Sequence, residues 1–497
     1  LTDANRRDNR PYSSVKVKSM YPTTSGDRRG LRLRLSLLLA GGALALTGCA
    51  AIPAPEIGAP PRSSETFDTA ASLPGTGAAW PGDGWWRSYG DPQLNRLIEE
   101  ALANAPDMRA AEARTRRALA MVAVSRADLL PSVSAGASAQ ADRQSYNMGF
   151  PAPRGWNDNG RAALDLSWEL DFWGKNRAAF AAATSDSEAA RAEQAAARLG
   201  LSSAIAAQYA ALAALHADRD AALEAVTVRT RTAELMQGRQ ERGLENEGAV
   251  RRAVSARAAA QANLAAIDES IGLSRNALAA LLGAGPDRGL TIARPSARLA
   301  PAVALPDAIP AQLMGRRPDI AAARARAEAA SSRITVAEKR FYPNINLAGI
   351  IGLQSLNLAS FAEGDSLFGS AGAAISLPIF QGGRLKAGYR SAEAEYDLAV
   401  SAYDAAVAQG LREVADAATS RRALDTRLRH TREAHVAAQA AWQIADNRYR
   451  GGLATYLDVL SAEDALIAAR RELASLETRA LALDIALVRA LGGGFGA

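Results

Sequence analysis

Side chains that could do chemistry are sparse in this chain of 497 residues, and their spacing argues against catalysis. There is one cysteine, Cys49, which excludes an internal disulfide and a thiolate metal cluster. The three histidines, His216, His430 and His435, are too few and too scattered for a metal centre. His430 and His435 are five apart, which gives them a poor shared helix face. No Ser-His-Asp pattern, HExxH or phosphate loop is present, and Gly492-Gly493-Gly494 follows a helix-like run where a phosphate cradle would open one. The expectation is a non-enzyme with no catalytic residue, no metal and no cofactor beyond a covalent lipid considered below. Two stretches remain as working parts. One is Cys49 at the end of an apolar run. The other is the turn Arg448-Tyr449-Arg450-Gly451-Gly452-Leu453, followed by Ala454 to Leu460. The paired glycines read as the tip of a very long helical hairpin and as the working end of the molecule.

Composition favours helices that need partners. Apolar residues make up 48%, much of it Ala, and aromatics only 5%. Ala has the best helix propensity but little side chain to bury, so such helices must pack closely on others. The net charge of +6 is confined to the N-terminus: residues 1–49 hold nine Lys/Arg and three acids, and the rest is neutral. A basic nucleic-acid surface is therefore not expected on the mature chain.

The N-terminus reads as a signal region over residues 1–48, with Met20 as a candidate true start. Arg28 to Arg34 is basic, and Leu35 to Leu46 is apolar but shorter than the roughly 20 residues of a free transmembrane helix. Leu46-Thr47-Gly48-Cys49 resembles a bacterial lipobox, which implies cleavage before Cys49, a thioether-linked diacylglycerol on its sulfur and N-acylation. Several acyl chains anchor stably where one does not. Ala50 is compatible with sorting to an outer membrane. Residues 49–82, with their Pro and Ser, read as a lipidated extended tether.

The body is written twice. Pro106-Asp107 and Pro318-Asp319 each lie 25 residues before a second proline, Pro131 or Pro343. Arg242-Gly243-Leu244 answers Gly451-Gly452-Leu453, and Leu281-Leu282-Gly283 answers Ala490-Leu491-Gly492, both at an offset of 209. The expected division is a first repeat at 83–290, a linker at 291–310 and a second repeat at 311–497. Each repeat opens with a helix of about 25 residues, with Asn104 a plausible N-cap in the first. Two strands follow, at about 131–141 and 162–172 in the first repeat and at about 343–352 and 370–379 in the second. Leu164, Leu166, Trp168, Leu170 and Phe172 alternate with polar residues, a period of two. A very long helix then runs to each glycine turn. In the second repeat Leu385, Tyr389, Ala392, Tyr396, Ala399, Tyr403 and Val407 form a seam, continued by Leu424, Leu428, Thr431, His435, Ala438, Trp442, Ala445 and Tyr449. Gly383–Arg450 as one helix would be ~100 Å long.

Four strands cannot close a transmembrane barrel, which takes about eight. An open sheet cannot sit in lipid with its edges unpaired. If these strands are in a membrane, several chains share one barrel; three chains give twelve strands and set the long helices around one axis. A soluble α+β protein whose sheet packs on its own helices is the other reading that periodicity allows.

The chain resembles the TolC-like outer-membrane factors, in the lipoprotein (NodT-type) branch that serves resistance-nodulation-division efflux systems. The resemblance is carried by Trp85-Trp86-Arg87-Ser88-Tyr89-Gly90-Asp91-Pro92-Gln93-Leu94, Ser167 to Gly174, Arg317-Pro318-Asp319-Ile320, Phe341-Tyr342-Pro343, Pro378 to Arg384 and Ala490 to Gly494. It covers nearly everything after Cys49. It implies a mainly α chain with a small membrane β portion: tandem duplicated helical hairpins plus four β-strands. It implies a homotrimer with a 12-stranded β-barrel in the outer membrane and a 12-helix α-barrel in the periplasm. A periplasmic adaptor and an inner-membrane pump would be the partners, and substrate would pass through the lumen without reaction.

By position, the resemblance carries a periplasmic gate onto Leu457 and Asp458, which match a leucine ring and an aspartate ring, and onto Tyr449, which matches a tyrosine of the tip's polar contacts. A second aspartate position is Ser461 here, and Asp464 stands where some members have arginine. Three Leu457 side chains would exclude water, and three Asp458 carboxylates would favour cations. Gly243, Gly451 and Gly452 are the tip turns. The corresponding residues of the first hairpin, Gly248 and Ala249, have neither bulk nor charge, so the second hairpin would carry the constriction. A lipid-anchored coiled-coil protein without a pore and the exit duct of a secretion system are the alternative readings. The substrate is not legible, and no Met-rich or His-rich tract argues for copper or silver.

Overall fold

The computed structural model describes residues 52–496 apart from positions 59, 70, 76, 144, 146, 148–153, 297–304 and 307–308. The signal region, Cys49 and part of the expected linker therefore lie outside the described residues. Ile52–Leu377 with Gly382–Ala497 form one compact unit, which carries every element named below.

The order is α1 (Pro92–Asn104), α2 (Pro106–Ala127), β1 (Ser132–Asp142), β2 (Asn157–Leu170), α3 (Lys175–Glu241) and α4 (Glu247–Leu281) in the first half. The second half has α5 (Ile309–Arg316), α6 (Pro318–Lys339), β3 (Asn344–Ser355), β4 (Leu367–Ser376), α7 (Arg384–Arg450) and α8 (Tyr456–Ala490). The duplication is kept in length: α2 and α6 have 22 residues each, α3 and α7 67, and α4 and α8 35. A 67-residue helix is ~100 Å long. Each position of the α7 seam named above is buried or half-buried, so the heptad-like spacing does mark the packed face.

The shorter helices are joined end to end. Gly283 follows α4 with φ +70°, and a Cβ there would lie 2.7 Å from Pro106 Cδ at the start of α2. Gly492 follows α8 with φ +94°, and a Cβ there would lie 2.0 Å from the Arg316 carbonyl oxygen at the start of α6. Only glycine fits both the left-handed backbone and the close approach. Two composite rods result, α2 with α4 and α6 with α8. Helix α3 packs on all four of these pieces, and α7 packs on α6 and α8. The layer therefore runs α2/α4, α3, α6/α8, α7.

Buried polar knots tie these pieces together. The Asp91 carboxylate, 1% exposed, accepts from the N–H groups of Gln93, Leu94 and Ser296 and from the Tyr209 hydroxyl at 2.7 Å. These hydrogen bonds outweigh burial and hold it below the usual carboxylate range. Tyr89 Oη donates to Asp484 at 2.7 Å, tying the Trp85–Tyr89 turn to α8. Arg317 grips Asp319 with two nitrogens, reaches Glu413 of α7 at 2.7 Å and donates to the Ala490 carbonyl at the end of α8. The tether is docked along α7: the N–H groups of Glu56, Gly58 and Arg62 donate to the carboxylates of Glu393, Asp397 and Asp404.

The four strands form one antiparallel sheet in the order β1-β2-β3-β4, open at β1 and β4. Five strand limits, on three strands, differ from expectation by more than a residue. β2 begins five residues early, at Asn157, and stops at Leu170, two short. The cause is Asp171, whose carboxylate accepts from the N–H groups of Asn176 and Arg177 and starts α3, so Phe172 leaves the ladder. β3 runs on to Ser355, and β4 is shifted back to Leu367–Ser376, ahead of Pro378, which has no N–H to continue a ladder. Asn104 is not an N-cap: it ends α1, and Ala105 caps α2 without a side-chain bond.

Candidate functional site

Helix α7 ends in a glycine closure that the first hairpin repeats. The N–H of Leu453 donates to Arg448 O at 2.8 Å and that of Gly452 to Tyr449 O at 3.0 Å; Leu244 and Gly243 do the same to Arg239 and Gln240, both at 2.9 Å. This is the Schellman pattern, which needs a left-handed residue, and Gly452 (φ +74°) and Gly243 (φ +71°) supply it. Gly451 is at the tip but has φ −81°, so a glycine there is not demanded by the turn.

Helix α8 starts from Thr455, whose N–H and hydroxyl both donate to the Asp458 carboxylate, at 2.8 and 2.9 Å. These bonds lower the Asp458 pKa, the Thr455 N–H foremost. At the matching place in α4, Asn246 caps through its own side chain, which accepts from the Ala249 N–H at 3.0 Å. The absence of charge at Ala249 thus has a local reason: there the cap residue does the work.

Leu457, Asp458 and Ser461 are all exposed at the start of α8, Leu457 at 57%. Leu457, Ser461 and Asp464 follow i, i+4, i+7 and share one stripe. Tyr449 is not part of that surface. It is 3% exposed and lies between the hairpins with Met236, Ala249, Ala253, Tyr456 and Val459. Its hydroxyl contacts Glu245 Oε2 at 3.0 Å and Met236 Sδ at 3.3 Å, and the Arg239 guanidinium stands 4.7 Å from its ring centre. Burial first, then the Glu245 carboxylate, pushes its pKa up to about 12. The structure thus divides the expected group: Leu457, Asp458 and Ser461 exposed at the start of α8, and Tyr449 binding the second tip to the first.

Sequence reasoning missed Arg229 and Glu463. Arg229 of α3 is 5% exposed and pairs with Glu463 of α8 at 2.7 Å and with Asp464 beside it. Burial raises the Glu463 pKa against the opposing pull of Arg229. A signal was present. Tyr456, Val459, Glu463 and Leu466 are a buried 3, 4, 3 seam in which Glu463 is the charged exception.

At the other end, the register sorts the sheet by face. Val133 and Ala135, then Leu164, Leu166 and Trp168, then Leu347 and Ile351, then Ala373 and Ile375 fall on one side. Ser134 and Ser138, Arg161, Asp165 and Glu169, Asn346 and Gln354, and Ser370 fall on the other. Val133, Leu164, Leu166, Ile351 and Ile375 are exposed. A sheet of strands 10–14 residues long, apolar outside and polar inside, has the form of a transmembrane barrel segment.

The family described as "Outer membrane efflux protein" matches residues 97–284 and 309–493, one block in each half. The chain belongs to the outer membrane efflux protein family. The fusaric acid resistance protein FusA of Burkholderia cepacia is 34% identical over 369 residues, 72% of this chain and 69% of its own length. The pyoverdine export outer membrane protein OpmQ of Pseudomonas putida is 30% identical over 460 residues, 91% of this chain and 96% of its own. The crystal structure of the outer membrane protein VceC of Vibrio cholerae is similar with a TM-score of 0.80 and 45% identity, covering 84% of this chain and all of that one. As an outer membrane efflux protein, the chain is a component of the outer membrane of a Gram-negative bacterium and serves export across it. The mainly α, four-stranded fold expected from the residues is the fold found.

Proposed function

We propose that three copies close into one passive duct, with a 12-stranded barrel in the outer membrane and a 12-rod helical barrel in the periplasm, and that no reaction is catalysed in it. One observation carries this reading. Sheet and helix layer are open at the same two edges: α2 runs into β1 at one, and β4 leads to α7 at the other. A head-to-tail contact of one edge with the other closes a ring if the rotation closes. An isolated apolar-faced sheet would leave both edges unsatisfied in lipid, which counts against a poreless coiled-coil protein. A periplasmic adaptor and an inner-membrane pump feed the duct at the hairpin tips, and small organic molecules of the kind named in the relatives, such as fusaric acid and pyoverdine, are its cargo. Pump-driven efflux is preferred over a secretion duct because the relatives are named for export of, or resistance to, small molecules. Diacylglycerol and an acyl group on Cys49 add an anchor in the same membrane.

The entrance is closed at the second tip, where Leu457 forms an apolar ring and Asp458 a carboxylate ring, with Ser461 one turn above. Single-channel recording of the purified full chain in planar bilayers tests this. Wild type should conduct weakly, and Leu457→Ala should raise conductance by about tenfold, because a dewetted apolar constriction is removed. Complete absence of current in wild type, Leu457→Ala and Asp458→Ala alike would overturn the duct reading.

A further inference from the structure

We propose that Arg229 is a positioning residue of this entrance, an ionic latch that holds the gate-bearing helix α8 in register on α3 through Glu463 and Asp464. The inference rests on the gate reading above. The guanidinium fork is divided between two adjacent carboxylates: Nη1 meets Glu463 Oε2 at 2.7 Å, and Nη2 meets Asp464 Oδ1. Glu463 is 1% exposed, and its other oxygen lies 3.4 Å from the Thr232 hydroxyl, also on α3. Asp464 is largely exposed, on the stripe that Leu457 and Ser461 occupy. Arg229 thus spans from the buried seam to the exposed face. Glu463 lies six residues past Leu457, about 9 Å along the helix axis.

The fold does not require these charges. At the duplication offset, Arg229, Glu463 and Asp464 become Ala438, Val254 and Ser255. An ion cluster in a helix seam adds little net stability over an apolar one, but removing one partner strands a buried charge. What the cluster supplies is a single allowed register: α8 cannot slide or rotate on α3 without leaving Glu463 or Arg229 unpaired. A shift of α8 moves Leu457 and Asp458 with it, so register at Arg229 sets the width of the entrance. Tyr449 makes a separate tie between α7 and the first tip, and Arg470 of α8 pairs with Glu224 of α3 farther from the tip.

The test is planar-bilayer conductance of the purified full chain in wild type, Arg229→Ala, Glu463→Ala, the double variant and Leu457→Ala, with cross-linking to report assembly. Arg229→Ala should raise conductance about tenfold or more, equivalent to ~1.4 kcal/mol. The double variant should leak about as much as Arg229→Ala and no more, because the same tie is lost in both. A double variant that closes like wild type makes the leak of Arg229→Ala an effect of one stranded charge and overturns the latch. Wild-type closure in Arg229→Ala beside a leaking Leu457→Ala overturns the latch and leaves the gate reading standing. Closure in both overturns the gate reading, and the latch with it. If Arg229→Ala does not assemble, Glu463→Gln replaces it: raised conductance supports the latch and unchanged conductance overturns it.

Discussion

Asp458 couples the chemistry of the tip to its local folding. Its carboxylate holds the first turn of α8 by accepting from Thr455, and the same carboxylate is the charge offered to solvent. The two roles titrate together. Because its pKa is lowered in the fold by the Thr455 contacts, ionised Asp458 supports the helix start above the ordinary carboxylate pKa. That support is lost as pH falls through the lowered folded value. Hydrogen exchange in the first turn of α8 should therefore quicken on acidification below about pH 4, and Asp458→Ala should show the fast rate at neutral pH. Equal protection in the variant and wild type at pH 7 would refute the cap. Position alone located Leu457, Asp458 and Ser461 on one exposed surface. It could not place Tyr449, because a tyrosine in a helix seam looks the same whether it faces its own hairpin or the neighbouring one. Arg229 was hidden for a related reason: its partner lies 234 residues away, and only contact shows that a charged seam position has been neutralised.

At the scale of elements, helices were more legible than strands. The seam of α7 was visible because a spacing of three and four persists over many turns, and an error at one position does not shift the rest. Strand limits were set by single residues acting off the ladder, as Asp171 does in starting α3. The end-to-end joints were legible only as repeated glycines. Their physical demand appears once Gly492 is seen against Arg316 and Gly283 against Pro106. Gly492→Ala should cost about 2 kcal/mol, combining a left-handed backbone with a steric clash. Thermal unfolding reads this. An unchanged midpoint would show that the joint has room to relax. Gly451→Ala, with ordinary φ and no close neighbour, is the control expected to be near neutral.

For the whole molecule, the duplication set the architecture and left the ends to chemistry. Equal lengths in both halves make the frame pseudo-symmetric, and the asymmetries fall where contacts are specific: Arg317 against Ala105 at the start of α6 and α2, Asp458 against Ala249 at the tips. The tether lies on α7 through three carboxylates on one helix, which hold Glu56, Gly58 and Arg62 along it. The mass of the mature N-terminal peptide should exceed that of the bare sequence from Cys49 by a diacylglycerol and one acyl chain. An unmodified Cys49 would remove the anchor from the proposal while leaving the barrel argument in place.

An open sheet with two unlike edges has a genetic consequence. A chain whose β1 edge is spoiled still offers a sound β4 edge, so it enters a growing ring and stops closure from within. In a cell that makes sound and edge-defective chains in equal amounts, only about one ring in eight would be free of the defect, given random three-fold assembly. Edge lesions in this chain should therefore be dominant, whereas lesions that unfold the chain before assembly should be recessive.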